Sequence, residues 1–150
     1  IQRDNNLSVD LKTDKMSDGP IVYYFGDTPK ILVKSNKAAY IRLIYIFADG
    51  TKVLLVDNYF VSADMTNQWV KIPFDGEICE PAGSEQLILQ ASTEKQPELN
   101  YQRQYYDDDN YIDVIESGIS EELVKTRGIK LKKPNKEITE KVYQWTVFAK

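Results

Sequence analysis

The stretch AYIRLIYIFADG, residues Ala39–Gly50, decides the fold together with the apolar run Thr51–Val56 that follows it. Alternate side chains of an extended strand share one face, which here carries Ile41, Leu43, Tyr45 and Phe47. The opposite face is also largely apolar, so we expect this strand to lie at the centre of a sheet. Asp-Gly between two such runs is typical of a type I′ turn, which needs positive φ at both central residues. The stretch therefore predicts a central antiparallel β-hairpin.

Shorter strand patterns, separated by turns rich in Gly and Pro, lie on both sides of this hairpin. They cover Leu7–Lys12, Ile21–Phe25, Lys30–Lys34, Gln68–Ile72, Leu87–Ser92 and Glu137–Ala149. Asn58–Asn67 is predicted as a polar loop, and Trp69 and Trp145 are predicted as core residues because both lie in strand patterns. The spacing predicts an all-β chain, an immunoglobulin-like β-sandwich of about seven or eight antiparallel strands. We expect residues 1–150 to form one such domain.

The composition changes after Pro97, where a polar, acidic and Tyr-rich segment begins. Apolar residues in Tyr111–Lys125 recur at a period closer to that of a helix, and Gly118 interrupts them. Two short helices are therefore predicted, the second beginning at Ser120. We expect residues 99–128 to form a short helical insertion before the last strand.

Composition excludes several classes of function. The chain has no His and one Cys, which excludes a Ser-His-Asp or Cys-His catalytic site, a His-ligated zinc and an internal disulfide. The apolar run Ile44–Ala48, which Leu43 extends by one residue, is too short to cross a bilayer, so no membrane-spanning segment is expected. The net charge of −4 argues against a nucleic-acid partner, and the basic segment Lys130–Lys133 lacks interleaved aromatic residues. No cofactor is expected.

Four tyrosines of the insertion form the candidate binding site: Tyr101, Tyr105, Tyr106 and Tyr111. Tyrosine rings are rigid and amphipathic, and a group of them can form a platform on which a sugar or a peptide stacks. The alternative is that half of these rings cover the sandwich beneath the insertion.

The acidic run Asp107, Asp108 and Asp109 is the candidate metal site, since Ca²⁺ takes carboxylate and carbonyl oxygens. Counted from Asp107, however, the EF-hand positions for Gly and Glu hold Ile112 and Gly118, so the run is interpreted first as an exposed acidic loop. Cys79 has no His to activate it and is interpreted as a half-buried structural thiol. No spacing singles out a pair of catalytic carboxylates, and we expect the protein not to be an enzyme.

Seven short motifs resemble, in their order, the bacterial family of domains of unknown function that is numbered four-three-eight-four. They are Gly26-Asp27, Lys34–Tyr40, Ala48–Gly50, Ile72-Pro73, Pro81–Glu85, Gln90–Thr93 and Thr126–Gly128. The chain departs from the family at Leu55–Asn58, where the family usually has Leu-Phe-Pro-Asn, so the next loop is expected to take a different path. The resemblance implies a β-sandwich accessory module of larger, often exported bacterial proteins, with no catalytic residues.

Three functions follow as hypotheses. The first is a non-catalytic accessory module that contacts a protein partner or a neighbouring domain of the same chain, in the periplasm, in the cell envelope or outside the cell. The second is a carbohydrate- or peptidoglycan-binding module that uses the Tyr-rich insertion. The third, and least favoured, is a metal-dependent hydrolase that uses the acidic run.

Overall fold

The computed structural model describes residues 6–15, 19–116 and 136–150 of the chain. Within these ranges the protein is all-β, as predicted, and its one helical element is a 3₁₀ turn at Ala63–Met65. The strands are β1 (Val9–Thr13), β2 (Val22–Tyr24), β3 (Ile31–Ser35), β4 (Ala39–Ile46), β5 (Lys52–Val61), β6 (Val70–Lys71), β7 (Gly83–Ser92), β8 (Tyr101–Tyr105), β9 (Tyr111–Ile115) and β10 (Ile138–Phe148). None of the helical structure in these ranges is long and apolar enough to cross a membrane.

The strands form two sheets. The smaller has the order β1-β3-β6 and the larger the order β2-β10-β7-β4-β5-β9-β8. All neighbouring strands are antiparallel except β2 and β10, which are parallel. The described residues thus contain more strands than the seven or eight predicted, and one parallel pair. The immunoglobulin-like arrangement stays a prediction.

One hydrophobic core lies between the two sheets. The smaller sheet supplies Val9, Leu11 and Val33, and the larger sheet supplies the inward side chains of β4, β5, β7 and β10. The strand β1 shows the alternation that predicted it, with Val9, Leu11 and Thr13 buried and the residues between them exposed. The buried apolar faces of both sheets therefore hold the sandwich together.

The central hairpin is confirmed, and β4 is the middle strand of the seven. Its turn differs from the predicted type I′ turn, because only Gly50 of the connecting residues has positive φ. The Gly50 N–H donates to the carbonyl of Phe47, and the Phe47 N–H donates to the carbonyl of Thr51. This is the three-residue connection in which a Gly in the left-handed region follows a tight turn.

The predicted loop Asn58–Asn67 is wrong in its first part, because β5 continues to Val61. A β-bulge allows this: Leu43 pairs with Val56 and Ile41 with Tyr59, so Asp57 and Asn58 both lie opposite Arg42. Asn58 takes positive φ at the bulge, a conformation that Asn tolerates better than most residues. Two polar residues that resemble the start of a loop are therefore the extra residues of a long strand.

The predicted helical insertion is also wrong where the structure describes it. Tyr101–Tyr105 and Tyr111–Ile115 form an antiparallel hairpin, β8–β9, and Val114 of β9 pairs with Val53 at the edge of the larger sheet. Most residues of β9 are aromatic or β-branched and favour a strand. The predicted helix beginning at Ser120 lies in residues 117–135, outside the described ranges.

The two tryptophans differ in their surroundings. Trp145 is 3% exposed and belongs to the core, as predicted. The prediction for Trp69 is wrong, because its side chain is 36% exposed. The ammonium groups of Lys12 and Lys34 lie 4.6 and 4.9 Å from the centre of its ring. Trp69 is therefore a surface residue that binds two cations of its own chain.

Candidate functional site

One end of the sandwich opens into a cleft of about 680 Å³, which we call the end cleft. It is bordered by the last residues of β4, the first residues of β5 and β7, the loop 73–79, the turn between β8 and β9, and Trp145 of β10. The antiparallel order of β4, β5, β7 and β10 brings these strand ends to the same edge of the sheet. A cleft of this size is within the range of small-ligand and side-chain pockets.

Acidic and aromatic side chains dominate the lining of the end cleft. The acidic residues are Asp75, Glu77, Glu85, Asp107, Asp109 and Asp113. The aromatic residues are Tyr45, Phe47, Phe74, Tyr106, Tyr111 and Trp145. None of the described residues that line it is a Lys or an Arg. The end cleft is thus a strongly acidic surface with an apolar floor.

The deep wall consists of three buried side chains from three adjacent strands. The indole N–H of Trp145 donates to the hydroxyl oxygen of Tyr45 over 2.8 Å, and the Tyr45 hydroxyl donates to Oε1 of Glu85. The backbone N–H of Ala48, in the central hairpin turn, donates to Oε2 over 3.1 Å. Glu85 is 2% exposed. Both of its carboxylate oxygens therefore accept a hydrogen bond from a fixed donor.

The electrostatic environment of Glu85 contains opposing effects. Burial raises the pKa of its carboxyl group, the hydrogen bonds from Tyr45 and Ala48 lower it, and nearby Asp49 raises it; the net pKa is raised. Burial and the Glu85 carboxylate likewise raise the pKa of the Tyr45 hydroxyl. No Lys or Arg in the described ranges forms an ion pair with Glu85. Within the part of the chain that the structure describes, the carboxylate is buried with hydrogen-bond donors but without a countercharge.

The three aspartates of the candidate metal site, Asp107, Asp108 and Asp109, differ in their surroundings. Asp107 closes the β8–β9 turn, where its Oδ1 accepts from the N–H groups of Asp109 and Asn110 over 2.8 and 2.9 Å. Hydrogen bonds from the Asn110 side chain and from these backbone groups lower the pKa of Asp107. Asp109 lines the end cleft, whereas Asp108 does not. No three His, Cys, Asp or Glu side chains in the described ranges are placed to hold a metal ion.

The outer rim of the end cleft contains one ion pair. The guanidinium of Arg103 in β8 donates twice to the Asp113 carboxylate, over 2.7 and 3.0 Å, and lies 3.9 Å from the centre of the Tyr111 ring. Asp113 is thereby neutralised. The carboxylates of Asp75, Glu77 and Asp109 form no hydrogen bond or ion pair with the described residues, so their charge is open to a ligand.

The four predicted tyrosines lie on the β8–β9 hairpin, and their side chains are 45% to 65% exposed. None of the four belongs to the hydrophobic core. The choice between a stacking platform and rings that cover the sandwich stays a prediction. Tyr106 and Tyr111 line the end cleft, whereas Tyr101 and Tyr105 do not. The Tyr105 and Tyr111 rings are neighbours, with centres 5.9 Å apart.

Cys79 is half-buried, as predicted, and its Sγ lies 3.8 Å from the Tyr106 hydroxyl. Burial and the neighbouring thiol raise the pKa of Tyr106 to about 12. This contact joins the loop 73–79 to the β8–β9 turn across the mouth of the end cleft. Cys79 therefore helps to define the shape of the site.

The sequence predictions missed the deep wall, because Tyr45, Glu85 and Trp145 are far apart in the chain. A signal for Glu85 is nevertheless present. In the alternating strand Gly83–Ser92 the inward face carries Leu87, Leu89 and Ala91, and Glu85 continues that face. A single acidic residue on an otherwise apolar inward face indicates a buried charge.

No protein-family model matches this chain, and neither the curated proteins nor the solved structures contain a significant match to it. The resemblance to the family numbered four-three-eight-four therefore stays a prediction.

Proposed function

We propose that this protein is a non-catalytic binding module whose end cleft takes a cationic segment of a partner protein. The observation that carries the proposal is the composition of the cleft. Six acidic residues and six aromatic residues line it, and no Lys or Arg is found among its described lining residues. Lysine and arginine side chains combine an apolar stem with a charged end, and such a surface accommodates both parts.

The unpaired carboxylates define where the positive charge would lie. Asp75, Glu77 and Asp109 border the same cleft and are not neutralised within the described ranges, unlike Asp113. A cation entering the cleft would be attracted by all three, since their charges add within the Debye length. Electrostatic attraction of this kind raises the rate of association and selects basic partners over acidic ones.

The aromatic side chains would hold the same ligand by a second interaction. Cations already lie over aromatic rings in this chain: Lys12 and Lys34 over Trp69, and Arg103 over Tyr111 at the rim of the end cleft. Such contacts contribute about 0.5–2 kcal/mol each, depending on exposure. The Tyr106 ring offers a comparable surface at the mouth of the end cleft.

Binding rather than catalysis is proposed because the chain has no His to act as a base and the Cys79 thiol contacts the Tyr106 hydroxyl. Two donors hold the Glu85 carboxylate in a fixed orientation, which suits recognition of a ligand. The family resemblance supports a further part of the proposal, that the module belongs to a larger exported or cell-envelope bacterial protein and contacts a partner or a neighbouring domain.

Calorimetric titration with a capped peptide of alternating Lys and Gly residues tests the proposal. The wild-type protein should bind this peptide and should not bind a matched peptide in which Gln replaces Lys. The double variant Asp75→Asn/Asp109→Asn should weaken binding by about tenfold or more, since it removes two carboxylates from the site. Asp108→Asn is the matched control, because this neighbour of Asp109 does not line the end cleft. Equal affinity of all three proteins would exclude the end cleft as the binding site.

Carbohydrate binding is the second candidate function, and the exposed neighbouring rings of Tyr105 and Tyr111 favour it. Sugar rings stack on such surfaces without requiring a positive charge. A glycan array that includes peptidoglycan fragments distinguishes the two functions. Binding that is lost in Tyr105→Ala and retained in Asp75→Asn/Asp109→Asn would favour the carbohydrate function.

A further inference from the structure

We propose that Glu85 determines the specificity of the end cleft: its buried carboxylate receives the cationic end of a Lys or Arg side chain of the ligand. This inference rests on the proposed function, and it identifies the residue that would recognise the ligand's charge. The unpaired carboxylates of Asp75, Glu77 and Asp109 would attract any cation, whereas the buried Glu85 would select a cation carried on an extended side chain.

The burial of Glu85 distinguishes it from the other acidic residues that the structure describes. It lies on the inward face of β7, next to the buried Leu87, and is 2% exposed. It nevertheless lines the end cleft together with Tyr45 and Trp145. A charge this deeply buried is strongly destabilising unless a partner of opposite sign is present. The described residues provide no such partner.

The hydrogen bonds show that the wall is arranged for a carboxylate. The Trp145 N–H can only donate, so it occupies a lone pair of the Tyr45 hydroxyl and directs that hydroxyl's hydrogen towards Glu85. The Ala48 N–H also can only donate. Glu85 therefore faces two donors, and each of its oxygens retains a second lone pair. A ligand ammonium or guanidinium group is the donor that these lone pairs can accept.

The groups that face Glu85 leave its charge uncompensated. Tyr45 from β4 and Asp49 from the central hairpin turn act on Glu85 directly, and Trp145 reaches it through Tyr45. Glu77, Cys79 and Tyr106 line the same cleft. All are neutral or acidic. Among the described residues, none brings a positive charge to the carboxylate, so a ligand cation would supply one.

A dependence on pH follows from this arrangement. Burial raises the pKa of Glu85 in the free protein, and a bound cation would lower it. Binding should therefore release a proton where Glu85 is still protonated, and affinity should increase as the pH rises through the pKa of the free protein.

The experiment measures the affinity of the Lys-Gly peptide between about pH 4 and pH 8 for the wild type, Glu85→Gln and Tyr45→Phe. Glu85→Gln should weaken binding by about tenfold or more at neutral pH and should remove the upper part of the pH dependence. Tyr45→Phe keeps the carboxylate and removes one donor, so it should shift the pH dependence upward. This second variant keeps the inference testable if Glu85→Gln does not fold.

The possible outcomes separate this inference from the function on which it rests. If Glu85→Gln binds as tightly as the wild type and Asp75→Asn/Asp109→Asn does not, the end cleft binds cations and the role given to Glu85 is wrong. An unchanged pH dependence in Tyr45→Phe would also overturn that role. If the wild type binds no Lys peptide at any pH, the proposed function fails and this inference fails with it.

Discussion

The bulge in β5 places Oδ1 of Asp57 2.6 Å from Nε of Arg42, whose side chain is almost completely buried. The Arg42 guanidinium also donates to the carbonyl of Pro97, and Asn58 exchanges hydrogen bonds with the backbone of Gln96. The bulge therefore fastens the segment after β7 onto the outer face of the larger sheet. This ion pair is structural, in contrast to the unpaired carboxylates of the end cleft.

The first prediction concerns this ion pair. Asp57→Ala should lower the free energy of unfolding by about 2–3 kcal/mol, because it leaves the Arg42 charge buried without its partner. This expected loss is smaller than that for a fully buried ion pair, because the Asp57 side chain is 27% exposed. Urea denaturation measures the change. Asp10→Ala is the control: its pair with Lys141 is exposed on both sides, and its loss should cost about 0.5 kcal/mol or less. Equal losses would show that the bulge pair contributes no more than a surface pair.

The second prediction concerns the central strand. Leu43 is completely buried in β4, so Leu43→Ala should destabilise the protein by about 2–5 kcal/mol through the cavity it creates. Val142→Ala is the control on the outer face of the same sheet, where the side chain is 51% exposed and the loss should be below about 0.5 kcal/mol. Both losses of stability are measured as shifts of the denaturant midpoint at constant m-value. A loss below about 0.5 kcal/mol for Leu43→Ala would contradict the central position of β4.

Local patterns were enough to predict the sandwich, because apolar and polar residues alternate along a strand that has one buried face. Val9 and Leu11 of β1 and the apolar strand β4 are examples. The bulge at Asp57-Asn58 was missed because the partners of its polar side chains, Arg42 and Gln96, are distant in sequence. Without those partners, two polar residues after an apolar run predict a loop.

The β8–β9 hairpin shows how a local pattern can mislead. Ile112 and Ile115 are three residues apart, a spacing that a helix and an irregular strand share. The pairing of β9 with β8 and with Val53 of β5 decides between helix and strand, and neither pairing is visible in the spacing.

The candidate site was predicted in part. Four of the predicted residues line the end cleft: Tyr106, Tyr111, Asp107 and Asp109. The deep wall around Glu85 was not predicted, because its side chains come from three different strands.

The third prediction uses the opposite pKa shifts of two glutamates. Burial raises the pKa of the Glu85 carboxyl group above its usual 4.5, so the folded protein binds the carboxyl proton more tightly than the unfolded chain does. The protonated carboxyl group therefore stabilises the fold below pH 4.5, and this contribution is lost as the pH rises through the folded-state pKa. The stability of Glu85→Gln relative to the wild type should therefore increase with pH over this window. Denaturation at a series of pH values measures it, and parallel profiles would contradict the raised pKa.

Glu137 provides the comparison of opposite sign. Its side chain pairs with Lys37 and accepts from the N–H of Leu7, and these contacts lower its pKa. The resulting stabilisation is present above pH 4.5 and is lost as the pH falls through the folded-state pKa. Glu137→Gln should therefore be less stable than the wild type at neutral pH, and this difference should shrink on acidification. If both variants shifted with pH in the same direction, one of the two assignments would be wrong.

The fourth prediction concerns two glycines that flank the deep wall. Gly50 has a φ of +92° and open space where a Cβ would lie, so Gly50→Ala should cost only the conformational penalty of about 1–2 kcal/mol. Gly83 has a φ of +138°, and a Cβ there would lie 2.8 Å from Cβ of Ala48. Gly83→Ala should therefore cost at least about 1 kcal/mol more than Gly50→Ala, because the hairpin turn must move away from β7.

That movement of the hairpin turn would also lengthen the hydrogen bond from the Ala48 N–H to Glu85, so peptide binding should weaken in Gly83→Ala and not in Gly50→Ala. Denaturation and titration of both variants measure these effects, and equal behaviour of the two would show that the close contact at Gly83 does not position the Glu85 wall.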